Sequence, residues 1–171
     1  MGRPLEPGVP GTGTTAPRGP LSEDLYRQVY GLVPRLTVEL MVHGRHGVLL
    51  TRRSEGPCAG LWHLPGGTVR FGEPAEEAWT RVAWSELGVS LRPGPLLGYL
   101  EYPSHYLHGL DSPVGLVFGC EVEGEPDVRG GDRHGWFHRA PSPMHVEQVD
   151  FLEQHGFLAA DGRQGVADQI P

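Results

Sequence analysis

The stretch from residue 66 to 89, GGTVRFGEPAEEAWTRVAWSELGV, places the tightest constraint on the fold, because it holds one helix with both ends marked. Pro74 suits the first helical position, where its fixed φ is helical and its missing N–H costs nothing. Gly88 suits the position just past the end. The spacing therefore predicts a helix from Pro74 to Leu87. Short apolar, β-branched runs lie on both sides of it. LTVELMV and GVLLTRR are separated by HGRH, a hairpin-like turn. LWHLPGGTVRF carries Pro65-Gly66-Gly67 between two short strands. Downstream, LLGYLEY and VGLVFGCEVEG read as strands, with PSHYLHGLDSP between them as a loop carrying two histidines. GWFH is a further short strand, and SPMHVEQVDFLEQHG is a last helix ended by Gly156. The order strands, helix, strands, helix predicts an α+β or layered α/β fold and argues against a doubly wound parallel sheet.

Residues 1–20 hold five Pro and five Gly and lack the apolar surface to offset ordering entropy, so they read as a disordered arm. LSEDLYRQVYG, residues 21–31, spaces apolar side chains for a short helix, with Ser22 before Glu23 and Asp24 in its first turn. One domain over residues 21–159 and a loose tail over 160–171 complete the expected organisation. At 171 residues the chain can build a core without disulfides.

A net charge of −7 argues against nucleic-acid binding, which needs clustered Lys and Arg. It leaves room for a phosphorylated small molecule, which needs only a few local donors. Cys58 and Cys120 stand far apart with no CxxC partner, so neither a disulfide framework nor a zinc site is indicated, and a reducing cytoplasm is the expected location. No apolar run approaches the roughly 18 residues of a membrane span.

Gly67, Glu73, Arg81 and the run Glu86-Leu87-Gly88-Val89 follow the spacing of the Nudix box, G-x5-E-x7-R-E-U-x-E-E-x-G-U with U aliphatic. The match extends upstream to GLWHLPGG, and over roughly residues 34 to 155 the element order resembles that family. The resemblance implies an α/β fold, the Nudix α/β/α sandwich with a mixed β-sheet between helices. Acids at relative positions i, i+3 and i+4 of the box helix share one face. Three carboxylates there, beside a backbone carbonyl, make a hard-oxygen site for Mg²⁺, which binds a diphosphate and activates water. In this chain those positions are Val82, Ser85 and Glu86, so one carboxylate survives. By resemblance, Gly66 supplies the carbonyl ligand and Glu73 pairs with Arg81. Glu86 and Gly66 are thus the expected ligands of one Mg²⁺, with Mn²⁺ as a substitute. Gly67, Glu73 and Gly88 are structural parts of the box.

The GDP-mannose mannosyl hydrolases, a branch of that family, lack the same two acids and resemble Arg81-Val82-Ala83-Trp84-Ser85-Glu86-Leu87-Gly88. In that branch water attacks the sugar's anomeric carbon, and the base comes from outside the helix. Arg53 matches a phosphate-binding arginine there, and Glu39 lies near an acid on the first strand. Gly131 stands where the branch has its histidine base; the nearest imidazole is His134, and Asp132 could replace a metal-binding glutamine. His134, Asp132 and Arg81 are therefore the catalytic candidates, and Arg53, Glu39, His105 and His108 the substrate-binding ones. Cys58 reads as an exposed position that nothing nearby marks as a nucleophile. His145 reads as surface or packing, and Trp79 and Trp84 as packing residues. The expected function is Mg²⁺-dependent hydrolysis of a nucleotide sugar at the glycosyl carbon, with a small-molecule nucleotide as partner and, by resemblance, a homodimer. Two alternatives stay open: a nucleotide-binding domain without turnover, and a pyrophosphatase of nucleoside triphosphates or dinucleotides.

Overall fold

In the computed structural model, which describes residues 21–122 and 131–160, seven strands form one mixed sheet. The strands are β1 (Arg35–Gly44), β2 (Gly47–Arg52), β3 (Trp62–His63), β4 (Gly66–Thr68), β5 (Leu91–Glu101), β6 (Pro113–Val122) and β7 (His134–Phe137). The main path runs β3-β2-β1-β6-β5, with β4 paired to β1 and β7 to β2. β1 and β6 are parallel, with Arg35 opposite Pro113 and Glu39 opposite Val117; the other pairings are antiparallel. The expected arm of residues 1–20 and nearly all of the expected tail lie outside the described residues.

The period-two alternation of β1 explains the layering. Val38, Leu40 and Val42 point to one face, where Leu49 of β2 joins them. There they meet α2 (Ala75–Val82) through Ala78, Trp79 and Val82. Met41 points to the other face with Val48, Leu50 and Val117, and there α4 (Val146–Gln154) contributes Phe151 and Leu152. Each fully buried Leu or Val here contributes roughly 1.5–3 kcal/mol. A sheet covered on both faces in this way is the α/β/α sandwich expected from the sequence. Thr37 and Glu39 share the Met41 face but carry polar groups where a core would want carbon.

α1 (Glu23–Tyr30) forms as expected, with the Ser22 hydroxyl accepting from Leu25 N–H. It has no fully buried residue. Its tie to the body is polar: Tyr26 donates its hydroxyl to Asp111 at 2.7 Å, and Arg35 lies over the Tyr26 ring.

The box helix departs from the sequence expectation at both ends. Pro74 is the N-cap, with extended ψ, and the α-helix starts at Ala75. The last turn, Ala83–Leu87, is a π turn, closed by Gly88 at φ 68°. Trp84 sits in that turn 67% exposed, so it is not a packing residue, whereas Trp79 is buried and donates its indole N–H to Cys120 Sγ. The segment read as a loop after LLGYLEY contains a short helix, α3 (Pro103–Leu107). Two features favour it: Pro103 pre-sets the first φ, and the Glu147 carboxylate of α4 accepts from Ser104 N–H at 2.9 Å, satisfying a first-turn donor.

Leu152→Ala should lower the unfolding free energy by about 2–5 kcal/mol, because Leu152 is fully buried between α4 and the sheet. Urea denaturation measures this; a loss well under 1 kcal/mol would contradict the packing of α4.

Candidate active site

β4 pairs with β1 so that Gly66 lies opposite Glu39 and Gly67 opposite Val38. The loop from β4 to α2 is then fixed by one ionic fork. Arg81 Nε donates to Glu73 Oε1 at 2.7 Å and Nη2 to Oε2 at 2.8 Å. The same Nη2 reaches the Thr68 carbonyl at 2.9 Å, and Glu73 Oε2 also accepts from Arg70 N–H. Arg81's hydrogen bonds hold the Glu73 carboxyl below the ordinary glutamate range. The guanidinium is thus committed to the loop. Gly67 allows close approach of the helix: a Cβ there would lie 2.9 Å from Val82 Cγ2.

The two missing acids have definite replacements. Val82 is buried in the core, and the Ser85 hydroxyl donates to the Val82 carbonyl at 3.2 Å. Glu86 remains, in the π turn. Burial raises its carboxyl pKa, and this outweighs the opposing pull of Arg53, Arg133 and His134. His134 Nε2 lies 2.8 Å from the Glu86 carbonyl oxygen, so it must be the N–H donor. Its Nδ1 is buried without a partner among the described residues. That geometry makes His134 a brace for the π turn, with no free nitrogen facing solvent. Asp132 is exposed on the short turn Gly131–Arg133 that precedes β7.

A cavity of about 890 Å³ opens on the Thr37–Glu39 face of the sheet. Gly66, Gly67, Thr68, Arg53, Thr37 and Glu39 line it, and α1 covers it with Tyr26 and Tyr30. Glu39 is buried in a cradle of two glycines. A Cβ on Gly66 would come within 2.1 Å of Glu39 Oε2, and one on Gly115 within 2.9 Å of its Cγ. Burial pushes the Glu39 carboxyl up to about 7, against the Thr37 hydroxyl, which donates to it at 2.8 Å, and against Arg35, Tyr102 and Arg53. Arg53 follows the last residue of β2 and its charge acts on both Glu39 and Glu86. Its neighbour Arg52 turns elsewhere and donates to the Gly60 carbonyl.

The deep end of the cavity holds a network that the sequence reading missed. Asp111 accepts from Arg35 Nε and from Tyr26, and lies 2.9 Å from His105 Nδ1. Burial would raise its carboxyl pKa, but His105, Arg35 and Tyr26 hold it well below the usual range. Burial also works against the His105 imidazolium, yet Asp111 and Cys58 push its pKa up to about 9. His105 is therefore a buried partner of Asp111. His108 is exposed at the end of α3, outside the lining of the cavity. Cys58 is 2% exposed, contrary to expectation, although residues 54–57 and Ala59 around it are exposed. His145, the N-cap of α4, is buried as well, and burial lowers its pKa to about 3. Of the expected residues, the cavity gathers Glu39, Arg53, Gly66, Gly67 and His105; Glu86 and His134 meet each other outside its lining, and the Arg53 charge reaches Glu86.

The NUDIX domain family model matches residues 33–161 of the chain. The low-salt glycan biosynthesis protein Agl8 of Haloferax volcanii is 35% identical over 109 residues, which cover 63% of this chain and 70% of that protein. An ADP-ribose pyrophosphatase of Methanocaldococcus jannaschii is 31% identical over 109 residues, covering 64% of this chain and 63% of its own length. Among solved structures, a MutT NUDIX hydrolase from Burkholderia pseudomallei is 34% identical and superposes with a TM-score of 0.60, over 71% of this chain and 98% of that one. No helix among the described residues is long and apolar enough to cross a membrane.

Replacing Glu73 by Gln should cost about 1–2 kcal/mol of stability at neutral pH, the value for charged hydrogen bonds discounted because Arg81 is 27% exposed. The folded pKa of Glu73 is depressed, so this difference is full above the ordinary value of about 4.3 and is lost as pH falls through the folded value. Urea melts of both proteins from pH 7 to pH 3 check it; a pH-independent difference would contradict the fork.

Proposed function

The chain belongs to the NUDIX hydrolase family, and from that premise we propose that it is a Mg²⁺-dependent hydrolase of a nucleotide sugar, cleaved at the glycosyl carbon. One observation carries this reading: Arg53, which lines the cavity of about 890 Å³, acts electrostatically on two acids, Glu86 of the box helix and Glu39 buried on β1. That volume is of the size that encloses a small ligand.

The charge around Glu86 decides how a metal fits. One carboxylate acted on by Arg53, Arg133 and His134 is a poor site for a bare dication. A substrate diphosphate reverses that balance, because it brings both negative charge and oxygen ligands. The residues therefore fit one hard ion, Mg²⁺ or Mn²⁺, held by Glu86 and the Gly66 carbonyl together with substrate. When bound, that ion neutralises charge on the diphosphate. Arg53 binds the phosphates from the other side. Glu39 accepts the proton of the attacking water. The water oxygen bonds to the anomeric carbon, the bond from carbon to the diphosphate oxygen breaks, and the nucleoside diphosphate departs with the electron pair. Arg81 only braces the loop. The absence of an acid at Val82 and Ser85 favours a base outside the helix, and the glycan-biosynthesis relative favours a sugar-linked nucleotide.

A second reading, pyrophosphatase chemistry, draws on the archaeal ADP-ribose pyrophosphatase. Its products from a nucleotide sugar are a nucleoside monophosphate and a sugar phosphate. The proposed reaction instead yields a nucleoside diphosphate and a free sugar.

Glu86→Gln should lower Mg²⁺-dependent turnover at least about 100-fold with unchanged circular dichroism, since it removes the charged oxygen ligand. Near-wild-type turnover on a panel of nucleotide sugars would overturn the site. Mg²⁺ binding measured by calorimetry should be weak alone and tighten at least about tenfold with a nucleoside diphosphate present. Equal affinity in both conditions would contradict the shared-ligand arrangement. Binding of nucleotide with no turnover on any substrate would point to a non-hydrolytic domain.

A further inference from the structure

Three buried side chains from separate elements converge at the deep end of the cavity. Cys58 comes from the loop after β2, His105 from α3 and His145 from the N-cap of α4. One ligand atom from each lies within 4.8 Å of the other two. We infer that Cys58, His105 and His145 form a site for one transition-metal ion of the zinc class, distinct from the Mg²⁺ site at Glu86.

Four observations support it. First, the spacing is close to that of bonded ligands: with Zn–N and Zn–S bonds of about 2.0–2.3 Å, tetrahedral ligand atoms stand about 3.3–3.8 Å apart. Cys58 Sγ and His105 Nε2 are already 3.8 Å apart. Second, His145 Nδ1 is buried with no hydrogen-bond partner among the described residues, on a residue only 5% exposed. A buried ring nitrogen without a partner carries a desolvation cost, which a metal bond at that nitrogen would offset. Third, His105 has the outer support typical of a metal ligand. Its Nδ1 faces the Asp111 carboxylate at 2.9 Å, which directs Nε2 toward Cys58. Asp111 is in turn held by Arg35 and Tyr26. Fourth, Cys58 is the buried residue of an otherwise exposed loop segment, 54–59, and belongs to neither hydrophobic core cluster.

The donor set selects the ion. A thiolate with two imidazoles suits zinc and its neighbours and is a poor match for Mg²⁺. Arg53 and His63 act on His145, and the Asp111 carboxylate, itself held by Arg35, acts on His105. Three protein ligands leave a fourth position, and all three residues line the cavity, so that position opens toward it. The site would also tie α1 to the body, because Tyr26 and the metal ligand His105 share Asp111.

The test uses the full-length protein freed of metal and titrated with Co²⁺ as a spectroscopic probe. The expected result is one Co²⁺ per chain, with a thiolate-to-cobalt charge-transfer band and the strong d–d absorption of a four-coordinate ion. Zn²⁺ should bleach both, and a large excess of Mg²⁺ should not. Cys58→Ser should abolish the charge-transfer band, Cys120→Ser should keep it, and Asp111→Asn should weaken Co²⁺ binding about 10–100-fold. Absence of the band in wild-type protein, its survival in Cys58→Ser, or displacement of Co²⁺ by Mg²⁺ would overturn the inference. If Cys58→Ser does not fold, Cys120→Ser decides: its only thiol is Cys58, and loss of the band there would equally overturn it.

Discussion

The fork between Arg81 and Glu73 is the interaction on which the arrangement depends. It joins three pieces of chain: the helix α2, the loop at Glu73 and the end of β4 at Thr68. Because β4 is paired to β1, the fork also fixes where Gly66 stands relative to Glu39. The helix can approach because position 67 has no side chain, and Val82 fills the gap with carbon. With that framework set, Glu86 can be carried by a π turn, an uncommon geometry often found at functional sites.

The buried charge at the sheet is the clearest sign that this framework serves a ligand. Glu39 sits between two glycines on neighbouring strands, in a position an aliphatic residue could fill. Burial that raises its carboxyl from 4.5 to about 7 disfavours the ionised form by roughly 3 kcal/mol. That is a large share of the 5–15 kcal/mol by which a domain is usually stable. The same cavity contains Arg53 and Arg35, and Asp111 is stabilised as a carboxylate by its partners. One cleft thus holds the paired Arg35 and Asp111 together with Arg53 and the buried Glu39.

How much was legible in the sequence follows from how local each feature is. Ser22, Gly88 and Gly156 mark helix ends through neighbours a few residues away, and the helices formed in the expected segments, although the box helix starts one residue late and ends in a π turn. The pairing of Glu73 with Arg81 spans eight residues and a fixed motif. The sandwich was expected from the resemblance to the Nudix box, and alternation along β1 is how the structure builds it. By contrast, Arg35 and Asp111 are 76 residues apart and meet only because β1 and β6 are parallel neighbours. Cys58 looked exposed because its sequence neighbours are polar, glycine or proline, and they are indeed exposed; only the fold turns its thiol inward. His134 was singled out as an imidazole near the site, but its ring is taken up by the Glu86 carbonyl, a contact between a strand and a π turn that spacing does not encode. The loop that held His105 and His108 gained a helical turn from Glu147, a cap supplied from α4.

The most direct test of the central claim is hydrolysis of nucleotide sugars with Mg²⁺ in ¹⁸O-labelled water, with both products weighed by mass spectrometry. Attack at the glycosyl carbon predicts the label in the free sugar and none in the nucleoside diphosphate. Label in a phosphate group would contradict that account and would place the chemistry at phosphorus.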